Sequence, residues 1–481
     1  MRTLNGKHRT GNVLFIALLA MLMALPQALN AQSNIMYGAS RNPLMNTANP
    51  AFFPSHSRVY LALPGVNLDF SSPLSYSSIF QYDTAEQKTY INANSLLDTL
   101  ANGEKIRFGT NIHAFGLGLN FNNFFITLSA QAKADIGFGL PNGLVTFLNE
   151  GNYNHVGDDA IELLDGNLVN VRLYDEFALG IGVRLLDDHL TVGFRAKVLN
   201  GYLDVSNAGS SLTLTTSPDY STMTADMNLD MNYAGAIDFV YDSAQGKYTY
   251  NITNYLTNNY GVNFDLGVRY ENDFLEASAS IIDLGPGIHW NDNIKKIVSA
   301  RENNTFTFTG MDVSTIMQGG TLDSTYSQML IDSLKSLAEY KFVDGGEDYW
   351  TSIPTKVNVG GMFKLTPGVS AGLLFHGEFE RGLVKVGEVF QNKTVGFYSR
   401  TSLLARVNIH DWVEVVAAAS VLSSNGSWSW LNPGVGLTLT PFRTLQVYTF
   451  LDYISNIYLV DAKHLNVSVG LNLFLGSSSE R

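Results

Sequence analysis

The sequence predicts an all-β fold, a transmembrane antiparallel β-barrel of about fourteen strands with a luminal N-terminal segment. Three observations carry that expectation: long stretches of period-two alternation, a regular succession of short turns and long loops, and no later apolar run long enough for a spanning helix.

The alternation is clearest from Phe124, where FFITLSAQAKADIGFG places Phe124, Ile126, Leu128, Ala130, Ala132, Ala134, Ile136 and Phe138 on one face. Thr127, Ser129, Gln131, Lys133 and Asp135 lie on the other, with Phe125 the apolar exception. A tilted strand crosses a bilayer in roughly 9–11 residues, apolar toward lipid and polar toward the lumen. Just before it, Phe115, Leu117, Leu119 and Phe121 alternate with glycine and asparagine up to the turn Asn122-Asn123, which makes a hairpin. A second pair sets Phe177 to Leu185 against Leu190 to Val198. Further pairs turn at Glu271-Asn272-Asp273, Thr366-Pro367, His410-Asp411 and Pro441-Phe442-Arg443.

An opening strand from Arg58 to Ser71, with Val66, Leu68 and Phe70 outward, and a closing strand from Leu465 to Leu475 complete the set. Long connections fall near residues 72–106, 140–171, 204–259, 291–354, 381–397, 423–432 and 454–464. The even count puts both chain ends on the short-turn side, the periplasmic side of a bacterial barrel. Within 204–259, Leu212, Leu214, Met227, Leu229 and Met231 also alternate. Read as membrane strands, they raise the count to about sixteen.

Arg2, Lys7 and Arg9, an apolar run from Val13 to Leu25 and the small residues before Gln32 read as a signal peptide over residues 1–31. The organisation expected is then a plug- or hatch-like segment over 32–57, a barrel over 58–476 and a tail over 477–481, in the outer membrane of a Gram-negative cell. With no cysteine, there is neither a disulfide framework nor a site for lipoprotein acylation. The net charge of −13 argues against a nucleic-acid partner. The partners expected are outer-membrane lipids and, during biogenesis, the barrel-assembly machinery.

Between Tyr37 and Pro54 the chain reads YGASRNPLMNTANPAFFP. Its Asn49-Pro50-Ala51 resembles the NPA near the N-terminus of FadL-type barrels, a superfamily that includes PorV-like barrels of type IX secretion. LPGVNLDF from Leu63, VNFDLGVRY and SIIDLGPGIHW around Asp265 and Asp283, IPTKVNVGGMFKL from Ile353, LNPGVGLTL from Leu431 and the closing NVSVGLNLFLG extend the likeness over nearly the whole mature chain. Together they resemble a Bacteroidota outer-membrane family allied to FadL, without a settled activity. The resemblance implies a luminal hatch at the N-terminal segment and a FadL-like channel for hydrophobic or amphipathic small molecules. The alternatives are a PorV-like platform that docks a secretion partner and a structural barrel without ligand.

Asn49, Pro50, Ala51 and Phe52 are accordingly the candidate gating residues, with Asp265 and Arg269 beside them on an inward face. An ion pair between Asp265 and Arg269 accounts for the first of the carboxylates Asp265 and Asp283 more simply than acid–base work or a metal does. Lys133, Asp135, Arg184, Arg195, Lys197, Glu378, Arg400, Arg406 and Glu414 also point inward, and mixed charges across a narrow lumen pair into a packing network. The histidines are scattered without metal-ligand spacing and no enzyme motif is present, so neither a metal, a cofactor nor catalysis is expected. Tyr326, Leu330, Leu334 and Leu337 share one helical face within the 291–354 loop. Asp-Ser and Asp-Thr pairs at Thr84, Thr99, Ser243, Ser324 and Ser333 resemble Bacteroidota O-glycosylation sites.

Overall fold

The structure is a computed structural model that describes residues 34–54, 57–72, 80–83, 87–91, 105–139, 151–157, 159–165, 169–242, 247–252, 257–302, 304–309, 339–386, 389–424, 427–428, 431–454 and 463–477, with isolated positions between them. The proposed signal peptide, most of the proposed loop helix and the five glycosylation-like positions lie outside the described residues.

Fourteen antiparallel strands close a barrel. They are β1 (Ser57–Ser71), β2 (Lys105–Asn120), β3 (Phe124–Gly139), β4 (Val169–Leu185), β5 (Leu190–Asn207), β6 (Tyr260–Glu271) and β7 (Leu275–Leu284). The other half is β8 (Thr355–Thr366), β9 (Val369–Val386), β10 (Val389–His410), β11 (Val413–Ser424), β12 (Asn432–Leu439), β13 (Leu445–Asp452) and β14 (His464–Ser477). Each pairs with its sequence neighbour, and β14 returns to β1.

Burial runs opposite to that of a soluble protein. Leu128, Leu179, Leu373 and Leu403 are 45 %, 58 %, 58 % and 58 % exposed on the outside, whereas Arg195, Lys197 and Asp265 are buried inside. Such an exterior suits lipid, and closure leaves no unpaired sheet edge within it. The short turns carry exposed Phe121, Leu186, Phe274, Trp412 and Phe442, large apolar side chains at one rim. Phe70, expected outward, is instead buried.

The barrel has fourteen strands, not sixteen. Leu212, Leu214 and Met227 do occupy strands, but these belong to a separate four-stranded sheet made of residues 161–165, 211–216, 223–228 and 305–308. Met231 lies on a strand at 230–235 that pairs with the far end of β5, residues 203–207, and with residues 295–298. The strands at 230–235 and 295–299 extend the wall beyond β5 without widening the barrel, and the four-stranded sheet is not part of it. The connection expected over 381–397 is likewise mostly strand, because β9 and β10 stay paired as far as Val386–Val389.

The closing seam is short. β1 and β14 share backbone pairing from Ser57–Ser477 to Ala62–Asn472. Next on β1 come Leu63, Pro64, which has no N–H to donate, and Gly65. Farther along, the Asn67 side chain bridges to Asn466 at 3.1 Å and Ser468 at 2.6 Å, and the Ser72 N–H donates to the Lys463 carbonyl at 2.8 Å.

Candidate functional site

Residues 34–54 lie inside the lumen. Two short helices, α1 (Asn34–Gly38) and α2 (Met45–Ala48), bury Ile35, Met36, Tyr37, Leu44, Met45 and Ala48 against wall residues Leu374, Leu404, Val416 and Phe450. The segment reaches the short-turn rim at Arg41, which donates to the carbonyls of His410 (3.0 Å) and Asp411 (2.7 Å). It then climbs back to the middle of the barrel. There Arg195 donates to the carbonyls of Asn46 and Thr47, both at 3.0 Å, while Ser280 (2.7 Å) and Asn358 (3.1 Å) donate to that of Ala48. The free carbonyls at the end of a four-residue helix are thus capped by the wall.

The Asn-Pro-Ala turn sits where the wall lacks side chains. Gly182 on β4, Gly193 on β5 and Gly267 on β6 stand side by side across the ladders. A Cβ at Gly193 would overlap the Pro50 carbonyl, and one at Gly267 would overlap the Asn49 side-chain oxygen. Asn49 is fully buried; its Oδ1 accepts from the Ala51 N–H at 2.9 Å, which forms the turn, and its amide donates to the wall carbonyls of Ala279 (3.2 Å) and Val268 (3.3 Å). Phe52 packs edge-on against Tyr37 and lies under the Arg269 guanidinium, 4.8 Å from its ring centre. Phe53 stacks obliquely on Phe125, 4.9 Å between ring centres, so the apolar exception on the inner face of β3 is a contact of the segment.

Four of the predicted gating residues therefore share one station, with Arg269 over Phe52. Asp265 does not pair with Arg269. It receives Arg195, directly opposite on β5, at 2.5 Å and Lys197 at 2.9 Å, whereas Arg269 binds Glu271 at 2.6 Å and approaches Glu276 at 3.7 Å. The reason is strand geometry: residues four apart on one face are separated by about 13 Å at 3.3 Å per residue, while directly opposed residues have Cβ atoms about 5 Å apart. Asp283 joins the same network through Lys197 at 2.6 Å, and its own N–H donates to Asp265 at 2.8 Å. Sequence reasoning passed over Glu176, which holds Lys133 at 2.5 Å, because it began that strand one residue later; the inward phase of β4 would have found it.

Farther from the short-turn rim the lumen holds a small cavity that opens to solvent. Met36, Leu44 and Thr47 of the N-terminal segment line it together with wall residues Lys133, Glu176, Lys197, Asp283, Lys356, Asn67, Gln131, Ile282 and Tyr174. No cluster of metal-ligating side chains occurs among the described residues.

A polar, ion-paired lumen inside an apolar wall, with residues 34–54 packed within it, is the arrangement of a membrane β-barrel. Residues 50–452 match the family of unknown function DUF5723, and the chain belongs to that family. No curated protein matches it in sequence. Among solved structures it is similar to a Pseudomonas aeruginosa FadL homologue (9 % identity, 94 % of this chain and 100 % of that one, TM-score 0.43). It is also similar to the Ralstonia pickettii toluene transporter TbuX (10 %, 90 % and 94 %, 0.41) and the P. putida toluene transporter TodX (8 %, 90 % and 94 %, 0.42).

Proposed function

We propose that the protein is an outer-membrane channel whose N-terminal segment is a plug, with the cavity beyond it holding a small amphipathic solute on its way through. The observation that carries this reading is the place of the segment: residues 34–54 are held inside the lumen by hydrogen bonds from Arg195, Ser280 and Asn358 to main-chain carbonyls, and a solvent-connected cavity borders them. The lining mixes Met36, Leu44, Ile282 and Ile353 with charged and amide groups, which favours an amphipathic cargo over a hydrocarbon.

Deleting residues 34–56 leaves all fourteen strands in place. The shortened protein should migrate as a folded, heat-modifiable barrel and conduct ions in planar bilayers many times better than the full chain. A folded barrel with unchanged low conductance would show that the segment is no plug and would leave a lumen filled by its own side chains.

A further inference from the structure

The luminal segment bends at Ser40-Arg41-Asn42, and the bend meets the wall through polar groups. Ser40 donates to Oε2 of Glu414 at 2.9 Å, Gln446 to the Arg41 carbonyl at 3.1 Å, and Asn472 to Oδ1 of Asn42 at 3.4 Å. Five buried atoms around the bend are left over. Asn42 Nδ2, Asn408 Oδ1, Glu414 Oε1, Thr438 Oγ1 and Asn472 Oδ1 have no hydrogen-bond partner among the described residues. Three of these belong together, since Asn408, Glu414 and Thr438 stand directly opposite one another on β10, β11 and β12. Buried polar groups are satisfied by protein or by ordered water. Water suits this set, because it donates to the four oxygens and accepts from the amide. An ion does not: a cation would meet the guanidinium groups of Arg41 and Arg406, which both act electrostatically on Glu414, and an anion would meet Glu414 itself.

The polar groups continue inward from the bend. Beside Thr438 across the ladder is Tyr448 on β13, and beside Tyr448 is Gly470 on β14. The Tyr448 hydroxyl lies over two glycines: a Cβ at Gly470 would overlap it, and one at Gly65 would come within 2.5 Å. Tyr448 also lines the solvent-connected cavity, together with Ser468 and Asn67 on the wall and Leu44 of the segment. Farther in along β10 and β11, Leu404 and Val416 pack against the segment and close that side. We propose that a file of water crosses the barrel by this route, from the Ser40–Asn42 bend past Tyr448 to the cavity, so that the protein conducts water without ions while residues 34–54 stay in place.

Stopped-flow light scattering on proteoliposomes of the full-length protein, given a sucrose step, tests the route. The vesicles should shrink severalfold faster than protein-free ones, while conductance in planar bilayers stays low. The chain has no cysteine, so Thr438→Cys puts a single thiol on the path. Mercuric chloride should slow that variant to nearly the protein-free rate and leave the parent unchanged. Val416→Cys, fully buried on the closed side, should ignore mercury. Asn472→Leu, which replaces an amide on the path with an apolar side chain, should slow shrinkage severalfold; heat-modifiability confirms that each variant folds. The proposal is overturned if the parent vesicles shrink no faster than protein-free ones, if Thr438→Cys ignores mercury, if Val416→Cys is blocked as fully, or if folded Asn472→Leu matches the parent. All of this is measured with the segment in place. A shortened protein that fails to conduct would therefore overturn the plug and leave the water path standing, whereas full-length vesicles tight to water would overturn the path and leave the plug.

Discussion

Replacing Gly193 by alanine should loosen the plug without touching its sequence. The new methyl group would overlap the Pro50 carbonyl and come within 2.5 Å of the Ala51 nitrogen. Both obstacles are main chain, so no rotamer change relieves them, and either β5 or the Asn-Pro-Ala turn must move. If the turn moves, Asn49 loses its two bonds to the Val268 and Ala279 carbonyls. At about 0.5–1.5 kcal/mol each, that is about 1–3 kcal/mol against the seated plug, or roughly a 5- to 150-fold shift toward the unseated state. Single-channel recording should show openings more frequent by that factor. Gly137→Ala is the control, since its methyl meets a single atom at 3.9 Å, the Cβ of Asn170, and shares the same change in backbone entropy. Equal opening frequencies in the two variants would refute the idea that the glycine row seats the plug.

Three other outcomes follow from the wall and its charges. Leu128→Arg, on a side chain 45 % exposed to lipid, should cost about 2–4 kcal/mol of barrel stability, read as loss of the heat-modifiable form in urea; a neutral result would mean the face is wrongly assigned. A double-mutant cycle in the same assay should give about 0.5–3 kcal/mol of coupling between Arg195 and Asp265, and additivity within about 0.5 kcal/mol for Asp265 and Arg269; the reverse pattern would restore the same-strand pair. In a chain with no native cysteine, Tyr220→Cys should react with an impermeant maleimide on intact cells and Asp411→Cys should not; labelling at Asp411 would invert the topology.

The barrel was legible because its strands carry a two-residue period over many turns of alternation, and because Asn122-Asn123 and His410-Asp411 are too short to be anything but hairpin turns. Alternation alone does not say where a strand goes. Leu212 and Met227 alternate as membrane strands do, but they pair in a sheet outside the barrel, a distinction made by their partner strands, which include residues 161–165 and 305–308, rather than by the local pattern. The candidate site was legible as a segment, through Asn49-Pro50-Ala51, and not as a set of contacts. Arg195 as the partner of Asp265 depends on the register between β5 and β6, which a single strand does not contain. The glycine row was visible as three unremarked small residues, and only their alignment across three strands gives them a role.

The short seam between β1 and β14 gives the wall a mechanical direction. Lateral tension in a membrane pulls on a barrel around its circumference, and stretch concentrates where few backbone bonds resist it. One such line runs beyond Ala62–Asn472, where the side chain of Asn67 and the bond between Ser72 and Lys463 span the joint. The plug is continuous with β1 through Phe53 and Pro54, while Asn49 and Arg195 tie it to the wall at β5, β6 and β7. Any spreading of the seam therefore strains residues 34–54 between two anchors, so the closing joint and the luminal segment are parts of one linkage.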